Sequence, residues 1–312
     1  MKIVQICRGQ IPINNYGGTE RVIYWLSGAL ADLGHDISVI APKGSYHENA
    51  NVKVIECDNF SNVNEYIPKD TDIVHIHYGE IEDVKDFKWL LTVHGNSKTN
   101  LFDNKFPENI VGISRNHAAA HNLKYFVYNG VDSKEFVFSP QKQDHFLFFS
   151  KVSYRSKGVD QAIRACSKSN VKLYIYGGDR KKLLRNPKSF LSSFKKNINV
   201  KGYASGQKKA QVFSQAKALL FPIQWSEPFG LVIIEAMMSG TPVIAFNRGS
   251  VAEIVNKESG FVVNYLEQMS DAIDQIGSID PYKCREYALN NFDISVCAKN
   301  YIKEYQRVIS TT

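Results

Sequence analysis

The reading of this chain turns on Trp225-Ser226-Glu227-Pro228-Phe229-Gly230-Leu231-Val232-Ile233-Ile234-Glu235-Ala236. Two carboxylates, Glu227 and Glu235, stand with seven residues between them. The apolar run at 218–223 reads as a buried strand, so Glu227 falls where a strand feeds a helix. Open α/β sheets place their ligands at that edge. Pro228 suits the first helical position, because its missing N–H would be orphaned there anyway. On that reading the amides of Phe229, Gly230 and Leu231 point out of the helix start and can hold an anion. Glu235 lies inside an apolar run, where a lone charge is expensive. The plainer alternative is one Glu favouring the helix dipole and the other on a solvated face. The stretch suits an anion that carries hydroxyl groups, with phosphate on the amides and sugar hydroxyls on the carboxylates.

Outward from this stretch, short β-type runs alternate with helical patterns from end to end, which predicts parallel sheets wrapped by helices. In the first half the strands are expected at 2–7, 36–41, 52–56, 72–77, 89–94, 109–113 and 124–128. A helix over 19–33 is ended by Gly34. In the second half they are expected at 145–149, 171–176, 198–201, 218–223, 242–245 and 260–263. The polar stretch 139–144 reads as a hinge. The expected division is therefore 1–138, 139–292, and a last helix within 293–312. Two such halves imply a cleft, where small-molecule sites collect.

The 312 residues are comfortable for two domains. Five scattered cysteines, never at metal or redox spacing, read as reduced thiols of a cytoplasmic protein. No apolar run is long enough to span a bilayer, and 2–7 reads as a strand rather than a signal peptide. Residues 1–130 carry 12 Lys and Arg against 15 Asp and Glu, whereas 131–312 carry 26 against 16. The basic second half suits an anionic ligand such as a nucleotide diphosphate. Nucleic acid is not expected, since zinc-finger, RNA-binding and basic–aromatic patterns are missing.

The Glu-x7-Glu block resembles the signature of retaining glycosyltransferases of family 4, and the order of other motifs agrees. These are Tyr16-Gly17-Gly18-Thr19-Glu20, Thr92-Val93-His94-Gly95, Tyr128-Asn-Gly-Val-Asp132, Lys157-Gly158 and Gly177-Gly178-Asp179. The resemblance implies a GT-B fold, an α/β architecture of two Rossmann-like, doubly wound parallel-sheet domains facing a central cleft. It also implies transfer of a sugar from a nucleotide diphosphate-sugar, UDP- or GDP-linked, to an acceptor hydroxyl with retention. The setting would be cell-surface polysaccharide or glycoconjugate synthesis, with no cofactor and no metal.

By the same resemblance, Gly17 and Gly18 line the donor phosphates, and His94 meets the donor sugar near the reacting carbon. Lys151 and Lys157 neutralise the leaving diphosphate. The family has Gly-Arg where this chain has Ser150-Lys151; lysine keeps the charge but loses the planar fork, so Arg155 is a candidate to share the work. Gly177, Gly202 and Tyr203 end two strands near the nucleotide. Glu227 meets the sugar hydroxyls, Glu235 the ribose hydroxyls, and the turn Pro228-Phe229-Gly230-Leu231 the phosphate. Two rivals stay open: a GT-B epimerase of nucleotide sugars, and a non-catalytic nucleotide-sugar-binding protein.

Three further features are read as bystanders. His75 and His77 share a strand face without a third metal ligand and are taken as structural, with His77 near the cleft. Asp70-Thr71-Asp72 imitates a metal-binding Asp-x-Asp but precedes its strand, away from the ligand edge. Residues 180–196 hold seven basic residues and no acid, with apolar residues at near-helical spacing that Asn186-Pro187 should split. Packing of that apolar face on the sheet is preferred, and a weak peripheral membrane contact is the alternative.

Overall fold

Runs of β-branched and aliphatic residues form strands that only a sheet covered on both faces can bury. The computed structural model describes residues 1–13, 17–78, 84, 86–96 and 107–311. The chain divides into two compact units, Met1–Asp132 with Phe292–Thr312, and Ser133–Asn291. The segment 139–144 expected to be a hinge is instead bound into the second unit. Gln143 N donates to Gln215 O at 2.7 Å. The half-buried Lys142 ammonium donates to the carbonyls of Ser214 and Ser239 and to Thr241 Oγ1, each within 3.0 Å.

In the first unit, β1 (Lys2–Ile6), β2 (Asp36–Ala41), β3 (Val52–Glu56), β4 (Ile73–Ile76), β5 (Trp89–Thr92), β6 (Ile110–Gly112) and β7 (Tyr125–Phe126) form one sheet. Its order is β3-β2-β1-β4-β5-β6-β7, and every pairing is parallel. Helices α1 (Gly18–Asp32) and α2 (Arg115–Ala120) belong to this unit. Past α1, Gly34 turns the chain with a φ of 84°, while Gly34 N and His35 N close on the carbonyls of Ala31 and Leu30.

The second unit begins with β8 (Phe146–Phe149) and α3 (Val159–Lys168), and continues with β9 (Leu173–Tyr176), α4 (Pro187–Ser192) and β10 (Ile198–Gly202). Then come α5 (Gly206–Gln215), β11 (Ala218–Phe221), α6 (Leu231–Met238) and β12 (Val243–Phe246). α7 (Val251–Ile254), β13 (Gly260–Val263), α8 (Leu266–Gln275) and α9 (Pro281–Phe292) follow, before the final helix α10 (Ile294–Ser310). This sheet has the order β10-β9-β8-β11-β12-β13, again parallel throughout. Both orders reverse direction beside the first strand of the unit, which is the doubly wound pattern with its ligand-binding switch point.

Helix α10 is tied to the first unit by its side chains. Tyr301 and Tyr305 are fully buried. The Tyr305 hydroxyl hydrogen-bonds His75 Nδ1 at 2.7 Å, His75 Nε2 bonds Thr92 Oγ1 at 2.7 Å, and Thr92 Oγ1 bonds the Tyr301 hydroxyl at 3.0 Å. At the start of the helix, Ile294 N donates to Val131 O, and Gly130 approaches so closely that a Cβ there would stand 2.9 Å from Ile294 and Cys297. Tyr305→Phe removes one hydroxyl and strands His75 Nδ1 in the interior. It should keep the fold and cost about 1–3 kcal/mol in denaturant titration; an unchanged midpoint would show that the helix does not depend on this bond.

Candidate active site

The switch point of the second sheet lies between β8 and β11, and the loops leaving those strands carry Lys157 and Glu227. They are brought together by a close backbone approach. Gly158 has a φ of 75°, and a Cβ on it would stand 1.9 Å from Pro222 O, so only glycine lets the two loops touch. Gln224 N donates to Ser156 O at 2.8 Å across the same contact. Lys157 Nζ then donates to Glu227 Oε2 at 3.1 Å, and Trp225 Nε1 donates to the same oxygen at 2.7 Å. The ammonium also lies 4.8 Å from the Trp225 ring centroid, a cation–π contact. Glu227 is 9% exposed. Both recorded bonds land on Oε2, so Oε1 is the oxygen with accepting capacity to spare.

The backbone beneath Glu227 is held from β12's loop. Ser250 N donates to Glu227 O at 2.9 Å, and the carbonyls of Glu227 and Phe229 accept from the Ser250 hydroxyl at 3.1 and 3.0 Å. This overturns the expected helix start. Two carbonyls of Glu227-Pro228-Phe229 face Ser250, so the turn cannot be the first helical turn, and α6 begins three residues after Pro228, at Leu231. Gly230, with a φ of 86°, redirects the chain, and its carbonyl accepts the first bond, from Ile233 N. Of the amides expected at the helix start, only that of Leu231 lies on it. Further along α6, Glu235 is 3% exposed and paired with Lys209 Nζ at 2.6 Å. Lys209 Nζ in turn lies 5.5 and 5.7 Å from the ring centroids of Phe149 and Phe213, which contact each other at 4.9 Å.

The other donor-side candidates of this unit spread around the same edge. Gly177, with a φ of 112°, passes so near the Ser150–Lys151 backbone that a Cβ would sit 2.0 Å from Ser150 O. Its N–H donates to Gly202 O at 2.8 Å, so the three strand ends are bound together. Lys151 Nζ lies 5.6 Å from the Tyr154 ring centroid. Arg155 is turned to the carbonyl of Arg185 at 2.8 Å, beside a concavity of 620 Å³ lined by Asp160, Asn186, Lys188 and Gln224. Tyr203 is exposed and accepts from Lys182.

Gly17, Gly18 and His94 lie in the first unit. A Cβ on Gly17 would meet Ile13 and the Glu20 carboxylate at 2.2 and 2.6 Å, and Gly18 opens α1; Tyr16 lies outside the described residues. His94 follows β5, and its Nε2 hydrogen-bonds His77 Nδ1 at 3.0 Å. His77 Nε2 is buried with no partner among the described residues. An orphaned buried N–H is costlier than an orphaned lone pair, which puts the His77 proton on Nδ1, donating to His94 Nε2. His94 then carries its own proton on Nδ1. Asp70 pairs with Lys2, and Asp72 accepts from Lys2 N at 2.7 Å, at the opposite strand ends.

Sequence reasoning missed Lys209, Trp225 as a donor, and the Gly249–Ser250 clamp. Trp225 sits two residues from Glu227 and was available as a signal. Lys209 and Ser250 reach the carboxylate block from other helices and loops, with no motif to mark them.

The profile of the family described as Glycosyl transferases group 1 matches residues 131–290, about half of the chain, and these include every residue around Glu227 and Glu235. The chain belongs to this family. An uncharacterized glycosyltransferase of Methanocaldococcus jannaschii is 29% identical over 46% of this chain. A 42.6 kDa protein of the Klebsiella pneumoniae cps region is 27% identical over 59%. These matches span only 38% and 46% of the two relatives' own lengths. Among solved structures, AviGT4, a glycosyltransferase involved in avilamycin A biosynthesis, superposes with a TM-score of 0.83. That match has 20% identity and covers 100% of this chain and 98% of that one. Sucrose-phosphate synthase of Thermosynechococcus elongatus gives 0.77 at 18% identity, covering 100% of both chains. Anabaena HepE in complex with UDP and glucose gives 0.72 at 17%, covering 98% and 100%. The fold of this family member is GT-B.

Two measurements check this geometry. A Cβ on Gly249 would stand 2.3 Å from the Glu227 carbonyl oxygen, at a φ of 62°. Gly249→Ala should therefore cost about 2–4 kcal/mol in denaturant titration, and a wild-type midpoint would contradict the packing under Glu227. Burial holds His75 and His77 well below the usual histidine range and pushes His94 down to about 3. The unfolded chain takes up these protons near pH 6.5 while the folded chain refuses them, so stability is full above that value and falls as the pH drops. The denaturation midpoint should be lower at about pH 5 than at about pH 8; a midpoint that rose on acidification would refute the buried neutral histidines.

Proposed function

We propose that this chain is a retaining, family 4-type glycosyltransferase that moves a sugar from a nucleotide diphosphate-sugar to an acceptor hydroxyl, without a metal. The observation that carries the reading is the Lys157–Glu227–Trp225 cluster at the switch point, eight residues before a second buried carboxylate, Glu235. Glu227 Oε1 would accept from donor-sugar hydroxyls, and Glu235 from those of the ribose. Lys157 and Lys151, with the amide of Leu231 at the start of α6, would stabilise charge growing on the leaving diphosphate, which is electrostatic catalysis. The leaving phosphate would take the acceptor's proton. His94, with its proton on Nδ1, would donate a hydrogen bond to the donor sugar. The solved relative that carries UDP and glucose supports a uridine donor, and the cps-region relatives support a polysaccharide or glycoconjugate acceptor.

The test is a thermal-shift panel of the purified chain with UDP, GDP and ADP and their sugar conjugates, with and without EDTA, followed by donor-turnover assays. One nucleotide family should stabilise the protein, and chelation should leave the shift intact. Glu227→Ala should retain the fold and reduce transfer by orders of magnitude. Near-wild-type turnover in that variant would sink the assignment of the site, and a shift abolished by EDTA would sink metal independence.

A further inference from the structure

The basic segment expected to bury its apolar face buries only part of it. Asn186 splits the segment into a 3-10 turn, Arg180–Arg185, and α4, which it caps by accepting from Ser189 N. Leu183 is buried and Phe190 packs against the second unit's core. Leu184, Leu191 and Phe194 are 56%, 70% and 59% exposed. Around them in sequence, Lys181, Lys182, Arg185, Lys188, Lys195 and Lys196 are all exposed. The surrounding chain is one-signed as well: residues 180–226 hold eleven Lys and Arg and no Asp or Glu.

We propose that this segment is a docking surface for an anionic lipid bilayer. Its backbone is fixed, so the exposure is not fraying: Arg155 Nη2 donates to Arg185 O at 2.8 Å, and Arg180 Nη2 donates to Ser193 O at 3.2 Å. Arg180 also lies 4.5 Å from the Phe194 ring centroid, which sets a guanidinium beside an exposed aromatic. A bilayer interface takes both components at once. Lipid phosphates attract the lysines, and the acyl boundary receives Leu184, Leu191 and Phe194. Long basic side chains keep their charged ends at the headgroups while their stems lie against apolar neighbours. A nucleic acid or other soluble polyanion would use the charge and leave the two leucines in water. An acidic protein would have to bring an apolar face of its own. The surface is distinct from the Glu227 cluster and does not rest on the reading of that site.

The test is co-sedimentation of the full chain with phosphatidylcholine vesicles, and with vesicles in which phosphatidylglycerol replaces part of that lipid. Binding should require phosphatidylglycerol and weaken with salt. Leu191→Ser with Phe194→Ser should lower the partition coefficient about tenfold or more. Lys188→Gln with Lys195→Gln and Lys196→Gln should lower it on the order of a hundredfold. All five positions are exposed, and circular dichroism with thermal unfolding verifies that each variant is folded. The proposal is overturned if the wild-type chain stays in the supernatant with phosphatidylglycerol vesicles, or if the Leu191 and Phe194 variant sediments as the wild type does. It is equally overturned if the chain ignores vesicles and binds a single-stranded oligonucleotide through the same lysines.

Discussion

In a sheet whose strands all run parallel, every strand delivers its carboxyl end to the same edge, and every connection must cross back before the next strand begins. That constraint governs both units. In the second it puts the loops after β8 and β11 side by side, although three α-helices and three strands separate them in sequence. The meeting of Lys157 with Glu227 follows from this adjacency. The three glycines at 158, 177 and 249 mark where backbones press closer than a Cβ permits. They are the steric condition for the site, because a methyl group at any of them would push apart two loops that hold its charges.

The charges so assembled are kept in place by ion pairs and hydrogen bonds. Glu227 meets an ammonium and an indole N–H on one oxygen, and Glu235 meets an ammonium that also lies near two phenyl rings. Removing one member of such a pair leaves the other charge buried and short of water, which costs more than the pair contributes. Fixed dipoles and charges of this kind act strongly because little water screens them.

The first unit uses burial in the opposite sense. His75, His77, Thr92, Tyr301 and Tyr305 form an uncharged polar layer under α10, where neutrality and hydrogen bonding take the place of ion pairs. Desolvation suppresses protonation of the histidines, so each can serve as one donor and one acceptor. In the sequence His77 lacks a third metal ligand and has no marked role; in the fold its Nδ1 is hydrogen-bonded to His94 Nε2.

Periodicity and composition sufficed for much of this. The runs at 36–41, 52–56 and 260–263 coincide with β2, β3 and β13, since clustered β-branched and aliphatic residues favour extended backbone on the edge strands β3 and β13 as well as on the buried β2. Gly34 as a helix stop and Asn186-Pro187 as a break were legible for the same local reason: φ, ψ and capping preferences are carried by single residues. The two carboxylates of the Glu-x7-Glu block were legible in the sequence, but their partners were not. Lys209, Ser250 and the true start of α6 at Leu231 depend on which loop lies next to which, and no local preference records that. Nor could spacing tell which apolar residues of 180–196 find the core: Leu183 does and Leu184 does not, because burial is decided by the neighbouring elements and only then by the residue itself. The sequence by itself determined the alternation of strands and helices, and the residue types that could bear charge at the ligand edge. Tertiary structure alone decided which of those charges meet, because contact between distant segments is a property of the assembled sheet.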